Sequence, residues 1–213
     1  MIRNKLARWL MLGCAALTLV APTAWADAVD DGIAGLQHGW AEAYYKTPAA
    51  QKEKAFEQLS AQAAELVAQN PTRAEPLVWQ AIILSSHAKF EGGLGALSKI
   101  KLARERLLAA EKIRPEVLDG SIYTSLGSLY AKAPGWPIAY GDRKKASDYL
   151  QRALKLNPDG IDPNFFYGEL LLDQGQRAEG EKYLRKALAA PPRPGREDAD
   201  EGRRAEVRAA LSH

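Results

Sequence analysis

The chain has 213 residues, of which 46% are hydrophobic and 26% are charged, a balance typical of a folded domain with its own core. Its net charge of +3 comes from 29 basic and 26 acidic residues, and Arg3, Lys5 and Arg8 supply that excess because no acidic residue precedes position 27. The rest of the chain is neutral, so its charge argues against a nucleic-acid partner.

Residues 1–26 have the pattern of an export signal. A basic start is followed by an apolar run from Leu10 to Val20, too short to span a bilayer comfortably, and by a small-x-small site ending at Ala26. We therefore predict cleavage after Ala26, a location in the periplasm of a Gram-negative cell, and no stable membrane insertion afterwards. An uncleaved membrane anchor is the alternative.

A second alternative is a lipoprotein acceptor site at Cys14. Only about five apolar residues precede Cys14, fewer than the roughly 7 of an export core, so we favour cleavage after Ala26. Because Cys14 is the only cysteine, the cleaved chain has none. This excludes disulfides, thiol catalysis and thiolate metal sites together.

The first predicted elements are two helices between residues 27 and 71. Ile33, Leu36 and Trp40 recur at the three- and four-residue spacing of one helix face. The segment 49–69 is rich in good helix formers and ends at an Asn-Pro pair. We interpret the two as a degenerate helix pair that covers one end of the fold.

Between residues 115 and 192 one pattern of residue types is written twice at an offset of 34 residues. Ala146, Leu150, Ala153 and Pro158 recur as Gly180, Leu184, Ala187 and Pro192. A small residue, a large apolar residue four positions later, an alanine and a closing proline indicate close helix packing followed by a helix stop. A second amphipathic segment precedes each set, so the repeated unit is a helix pair.

This pattern resembles the tetratricopeptide repeat (TPR) family, whose unit is a 34-residue helix-turn-helix. Ala103, Leu107 and Ala110 ahead of Pro115 place a third unit upstream. The resemblance implies an all-α, helical-hairpin solenoid with units at about 74–115, 116–158 and 159–192. Relative to the family unit, the first pair has about ten extra residues between its helices and the second about seven. The third unit has Asn164 where a large apolar residue is usual.

The insertion at 133–142 contains two prolines, two glycines, Trp136 and Tyr140, which predicts a stiff, ordered loop. Asp142 is the predicted N-cap of the helix that follows. Trp136 and Tyr140 have two open interpretations: they cover the core of their own unit, or they rim a ligand site. After a proline-rich stop, residues 193–213 predict a charged C-terminal capping helix with a thin apolar edge.

No catalytic or metal-binding pattern is recognisable. His38, His87 and His213 are isolated, without a second ligand at helical spacing. The sequence has no Gly-x-Ser-x-Gly elbow or phosphate loop, and the glycines at 92–95 fit a turn better than a phosphate cradle. We therefore expect no enzymatic activity, cofactor or metal; a hydrolase hidden in the insertions lacks a recognisable nucleophile and base.

The resemblance implies that the first helix of each unit lines a concave groove that binds a ligand, and it places Asp162 among the groove positions. Joined by the two loop aromatics, the candidate partner-binding residues are Thr124, Ser128, Lys132, Trp136, Tyr140, Phe165, Glu169 and Asp173. Such a mixed lining suits a polar peptide or a small solute. A solvated groove without a ligand is the alternative.

The leading functional hypothesis is a scaffold or adaptor for a protein or peptide partner. The second hypothesis is a small-solute-binding accessory component of a TRAP-type transport system, which rests on a looser similarity to periplasmic TPR components that accompany such transporters. Homo-oligomerisation is a further expectation, because three to four repeats are near the minimum for a stable stack.

Overall fold

The structure is a computed structural model that describes residues 23–212, with side chains from residue 28 onward. The predicted export signal, including Cys14, lies outside the described residues except for its last positions, which begin the first helix. None of the helices in the described part is long and apolar enough to cross a membrane.

The described residues form nine α-helices in a consecutive series. Their bounds are α1 Thr23–Ala41, α2 Ala49–Gln69, α3 Ala74–Glu91, α4 Gly93–Ile113, α5 Val117–Lys132, α6 Arg143–Leu156, α7 Ile161–Asp173, α8 Arg177–Leu188 and α9 Glu197–Leu211. A π-helical turn, Glu42–Lys46, continues α1. Consecutive helices pack as antiparallel pairs, and the first helices α1, α3, α5 and α7 contact one another in order as one layer. The predicted helical-hairpin solenoid is confirmed.

The repeated sequence signature marks the places where paired helices approach most closely. A Cβ atom on Gly127 of α5 would lie 2.5 Å from Cγ of Leu150, and one on Gly168 of α7 would lie 2.9 Å from Cγ of Leu184. Leu150 and Leu184 have no exposed surface. The two units thus use the same contact between a glycine and a leucine, because only glycine leaves room for the leucine at this separation.

The first unit differs from the prediction. Its extra residues do not form an insertion between the helices, because α3 ends at Glu91 and α4 begins at Gly93. Gly92 and Gly93 have φ of 71° and 59°, values that glycine adopts without strain, so the chain reverses within a very short turn. The additional residues lengthen the helices instead.

The insertion at 133–142 is an ordered loop, as predicted. The Gly141 N–H donates to the Pro134 carbonyl at 2.8 Å, and the Asp142 N–H donates to the Tyr130 carbonyl at 2.9 Å. The Asp142 carboxylate accepts from the backbone N–H groups of Lys144 and Lys145, so the predicted N-cap is confirmed.

Asn164 also has a structural explanation. It is fully buried, and its Nδ2 donates to the carbonyls of Pro158 and Gly160 at 2.8 Å each. An apolar side chain cannot supply these bonds to the turn between α6 and α7, which accounts for the departure from the family pattern.

The last helix does more than cap the final unit. Besides packing on α8, α9 contacts α7, α1 and the π-helical turn. Ala199 of α9 joins the N-terminal apolar cluster around Trp40 and Phe56, whereas Val207 joins the C-terminal cluster around Phe165 and Leu184. The helix therefore connects the last unit with the N-terminal helix α1.

Candidate partner-binding groove

The layer of first helices is the side on which the resemblance places ligands, and α9 lies across it. Two turns of α9 bring Ala199 and Val207 to opposite ends of this layer, where they are 2% and 0% exposed. The groove is therefore occupied, over part of its length, by a helix of the same chain.

An arginine of α9 forms the centre of this contact. Arg203 Nε donates to Asp162 Oδ1 at 2.8 Å, and its side chain is only 8% exposed. The guanidinium lies 4.6 Å from the ring centroid of Phe165 and 4.8 Å from that of Phe166. A carboxylate and two aromatic faces together compensate a cation that has been removed from water.

A second arginine ties the connecting segment to the same carboxylate. Arg193 Nη1 donates to Asp162 Oδ2 at 2.7 Å, and its Nε donates to Asp200 Oδ1 at 2.7 Å. The Arg193 backbone N–H also donates to Asp200 Oδ2 at 2.8 Å. Asp200 is 1% exposed, so the proline-rich segment is fixed to the first turn of α9.

These contacts determine which groups carry charge. Burial alone raises the pKa of Asp162, but the guanidinium groups of Arg203 and Arg193 outweigh it and hold that pKa well below its usual range. Burial lowers the pKa of Arg203, and Asp162 more than offsets this effect, so the pKa of Arg203 is raised. The ion pair consequently stays charged at every pH near neutrality.

The N-terminal end of the contact is formed by Tyr45 in the π-helical turn. Its hydroxyl donates to Glu206 Oε2 at 3.0 Å, and the same oxygen accepts from Arg203 Nη1 at 2.6 Å. A Cβ atom on Gly202 would lie 2.4 Å from the Tyr45 ring, so a larger residue has no room there. Burial strongly raises the pKa of Tyr45, which keeps its hydroxyl protonated as a donor.

The inward-facing residues of α9 share one helical stripe. They are Ala199, Gly202, Arg203, Glu206 and Val207, at the three- and four-residue spacing of a single helix face. We refer to this set as the α9 stripe. It combines two small residues, one cation, one anion and one β-branched apolar residue.

The candidate groove residues have different environments. Phe165 is 4% exposed beneath Arg203, and Thr124 is 6% exposed with its hydroxyl donating to the Gly120 carbonyl at 3.2 Å. Ser128 is half-buried on α5. Neither Phe165 nor Thr124 is open surface, and Arg203 of α9 covers Phe165.

Three other candidates come together near the ends of α5 and α7. Lys132 Nζ lies 3.5 Å from Glu169 Oε2 and 3.7 Å from Asp173 Oδ2. Lys132 and Asp173 are about half exposed, whereas Glu169 is more buried, and its burial raises its pKa. These residues form a charged cluster beside the end of the groove.

The two loop aromatics have different environments. Tyr140 folds back: its hydroxyl donates to the Ile100 carbonyl at 2.6 Å, and its ring packs edge-on against Tyr130 with centroids 5.2 Å apart. Trp136 is 89% exposed. Tyr140 therefore anchors the loop, and Trp136 is presented to solvent.

A cleft of about 240 Å³ remains between the beginning of α5, the turn before α7 and the segment 191–194. Its wall includes Thr124, Asp159, Asp162 and Arg193. It is the part of the concave side that α9 leaves open.

Sequence reasoning missed the residues of α9 and of the connecting segment that hold the groove closed. The separations between partners are 41 residues for Asp162 and Arg203 and 161 residues for Tyr45 and Glu206, so no local pattern reveals them. One signal was available: Gly202 stands on the same helical face as Ala199 and Val207, and small residues on one face indicate close packing.

Residues 138–196 match the family model described as tetratricopeptide repeat. A thermophilic TPR protein from Thermus thermophilus superposes with a TM-score of 0.57 at 20% identity, covering 89% of this chain and 94% of that one. Pseudomonas aeruginosa PilF aligns with a TM-score of 0.37 at 15% identity, covering 87% and 91%. No curated protein matches the chain. The fold is that of a TPR solenoid, which is the fold class that the sequence predicted.

Proposed function

We propose that this protein is an exported, non-enzymatic scaffold that binds a helical segment of a partner protein on the concave surface covered by α9. The observation that carries this proposal is the seating of α9 itself. A helix already occupies the surface that the TPR resemblance assigns to ligands, and it does so through Asp162 and Phe165, which that resemblance places in the groove.

The chemistry of the groove defines the partner. Asp162 with Phe165 and Phe166 accepts a guanidinium, and the Tyr45 ring accepts only a very small residue one position before it. A partner helix that fits therefore carries a small residue followed by arginine, with an apolar residue four positions later. This is the order found in the α9 stripe.

The contact between α9 and the groove is weak enough for a partner helix to replace α9. Of the four buried residues in α9, Ala199 and Val207 are apolar while Asp200 and Arg203 are charged. The apolar pair contributes about 3 kcal/mol at most, and desolvation offsets much of the attraction in buried ion pairs. A partner helix with a wider apolar face can therefore displace α9. Because it binds only molecules in which α9 is undocked, its apparent affinity is its intrinsic affinity multiplied by the undocked fraction.

Export to the periplasm belongs to the same proposal, supported by the basic, apolar and small-x-small pattern of residues 1–26. Small-solute binding for a TRAP-type transporter stays a prediction. The cleft beside Thr124, at about 240 Å³, is below the roughly 300 Å³ at which ligand pockets usually begin.

A peptide-binding experiment tests the groove directly. A fluorescent peptide of residues 197–212 is titrated into the full chain and into its Val207→Asp variant, and binding is measured by anisotropy. Because Val207 is fully buried, the aspartate expels α9 without altering the groove. We expect the variant to bind the peptide more tightly than the wild type, in which the tethered helix competes.

Two further variants make the result specific. Asp162→Ala in the Val207→Asp chain removes the carboxylate that accepts Arg203 and should abolish peptide binding. Arg208→Ala alters the exposed face of α9 and should behave like the wild type. A pull-down from periplasmic extract with the same variants then identifies the partner, and a partner captured equally with and without Asp162 contradicts the proposal.

A further inference from the structure

A second surface lies outside the groove, where the loop 133–142 meets the beginning of α4. Trp136 and Ile138 at the loop are 89% and 60% exposed, and Leu94 in the first turn of α4 is 85% exposed. The loop is hydrogen-bonded to the carbonyl of Ile100. Ile100 lies six residues after Leu94, which is about 9 Å along α4. We refer to residues 92–106 and 133–148 together as the basic edge.

The loop holds its apolar side chains outward. Arg104 stacks on the Tyr140 ring at 4.4 Å, and Tyr140 is bonded to the Ile100 carbonyl. The N–H groups of Ile138 and Ala139 both donate to the Gly135 carbonyl, at 3.1 and 3.2 Å. Because the backbone is fixed, Trp136 and Ile138 are ready to enter an apolar environment without an ordering cost in the loop.

The charge of the chain is concentrated at this edge. The residues 92–106 and 133–148 contain seven basic and three acidic residues. Because Lys99 pairs with Glu91 just outside this range, the edge keeps an excess of three positive charges. From residue 27 to the end, the chain has equal numbers of basic and acidic residues, so the remaining segments carry the compensating negative charge. The molecule is neutral as a whole but presents a positive edge.

The first turn of α6 contributes three of these cations. Arg143, Lys144 and Lys145 occupy the positive end of the helix dipole, where cations cost stability. Lys144 forms an exposed pair with Asp148, and Lys145 Nζ lies 5.5 Å from the centroid of the Tyr130 ring. Arg143 and Lys145 are exposed and have no carboxylate partner within the described residues.

We propose that the basic edge docks on the surface of an anionic lipid bilayer. Trp136 and Ile138 enter the headgroup region, where the indole keeps its N–H hydrated while its ring is buried. Arg143, Lys145 and Lys101 face the lipid phosphates. The protein binds peripherally, and the groove on its concave side stays free for a partner.

The exposure of the apolar side chains favours a bilayer over a protein partner. A tryptophan that is 89% exposed can enter a deformable interface directly, whereas a protein partner must supply an acidic, apolar pocket of matching shape. Docking on such a protein is the alternative outcome of the test.

The test uses the tryptophan itself as a probe. Trp40 and Trp79 are 6% and 4% exposed, so among the described side chains only Trp136 changes its environment on docking. The full chain is mixed with vesicles of equimolar phosphatidylglycerol and phosphatidylcholine, and with vesicles of phosphatidylcholine alone. We expect a blue-shifted emission and cosedimentation with the anionic vesicles, both reduced on adding salt.

The variants measure the two parts of the contact. Trp136→Ser should reduce the blue shift to what the leader tryptophans, Trp9 and Trp25, contribute, and should weaken sedimentation. Arg143→Gln with Lys145→Gln should weaken binding about 25-fold, at roughly fivefold for each cation. The matched control, Lys155→Gln with Lys186→Gln, removes two exposed cations outside the edge and should leave binding close to that of the wild type.

An apolar leader also binds vesicles. Because all variants carry the same leader, differences in binding between them report on the basic edge alone. The proposal is overturned if Trp136→Ser sediments as the wild type does, or if the Lys155 and Lys186 control loses as much binding as the edge variant. It is also overturned if the edge variants lose capture of an acidic protein while their vesicle binding is unchanged.

Discussion

The helix pair α5–α6 and the docking of α9 bury helices against the solenoid by different means. The buried residues of α6 are Ala146, Leu150 and Ala153, all uncharged. Half of the buried residues of α9 are charged, and its central contact joins Arg203 to Asp162. Both arrangements exclude water, but only the second requires each charged group to meet a specific partner.

The difference determines how each region fails. Removing apolar volume from a helix pair also weakens its neighbours, because the core cluster that contains Leu150 extends from α3 to α7. Removing one charge from the α9 contact leaves a buried ion without compensation, and undocking the helix relieves it. Core changes therefore lower global stability, whereas changes in the α9 contact open the groove.

The largest expected effect is in the core. Leu150→Ala removes a side chain with no exposed surface and leaves a cavity against Gly127, so we expect the free energy of unfolding to fall by about 4 kcal/mol. Chemical denaturation monitored by circular dichroism measures this loss. Leu156→Ala, in the same helix at a position 39% exposed, is the control, and an equal loss there contradicts the assignment of Leu150 to the core.

A smaller, local effect is expected at the groove. Asp162→Ala leaves Arg203 and Arg193 without their shared carboxylate, so the free energy of opening α9 should fall by about 3 kcal/mol. Hydrogen exchange should show lost protection in α9 with little change in α5 and α6. Global stability changes less, because α9 undocks first.

Asp159→Ala is the matched control for this prediction. Asp159 lies three residues earlier, is exposed, and has no ion-pair partner within the described residues. Protection of α9 should be unchanged in this variant. A uniform loss of protection across all helices after Asp162→Ala would contradict the prediction that only α9 undocks.

The smallest expected effect is the pH dependence of stability, and it differs between Asp162 near the C-terminal end and His87 nearer the N-terminal end. Asp162 has a depressed pKa when folded, so its contribution is fully present above its unfolded pKa of about 3.9 and is lost as the pH falls through the folded value. The stability difference between wild type and Asp162→Asn should stay constant from pH 8 to 5 and shrink below about pH 4.

His87 in α3 responds in a milder range. It is 5% exposed, and burial, followed by the charge of Lys99, lowers its pKa. Its contribution is therefore present above its unfolded pKa of about 6.5 and is lost as the pH falls below it. The difference in the free energy of unfolding between wild type and His87→Gln should change between pH 7 and 5. The corresponding difference for Asp162→Asn should stay constant in this range.

Much of the fold could be predicted because its determinants are local. The spacing of Gly180, Leu184 and Ala187 is a property of one helix, and a proline stops a helix wherever it stands. The length of the first helix pair was mispredicted, since a short glycine turn and a longer loop look alike in sequence. Only the backbone conformation of Gly92 and Gly93 distinguishes them.

The candidate site was predictable only in part. The family resemblance identified Asp162 and Phe165 as groove positions, but it could not identify their occupant. The orientations of Trp136 and Tyr140 could not be predicted either, because the composition of the loop indicates that it is stiff but not which ring turns inward.

By itself the sequence determined the helices, their pairing and the periodic core, since each depends on residues within about one repeat of one another. Only the tertiary structure decided that α9 returns across the groove and that its charged residues are buried. Matching charges attract through space irrespective of their separation along the chain, so their partners become known only when the solenoid brings its first and last helices together.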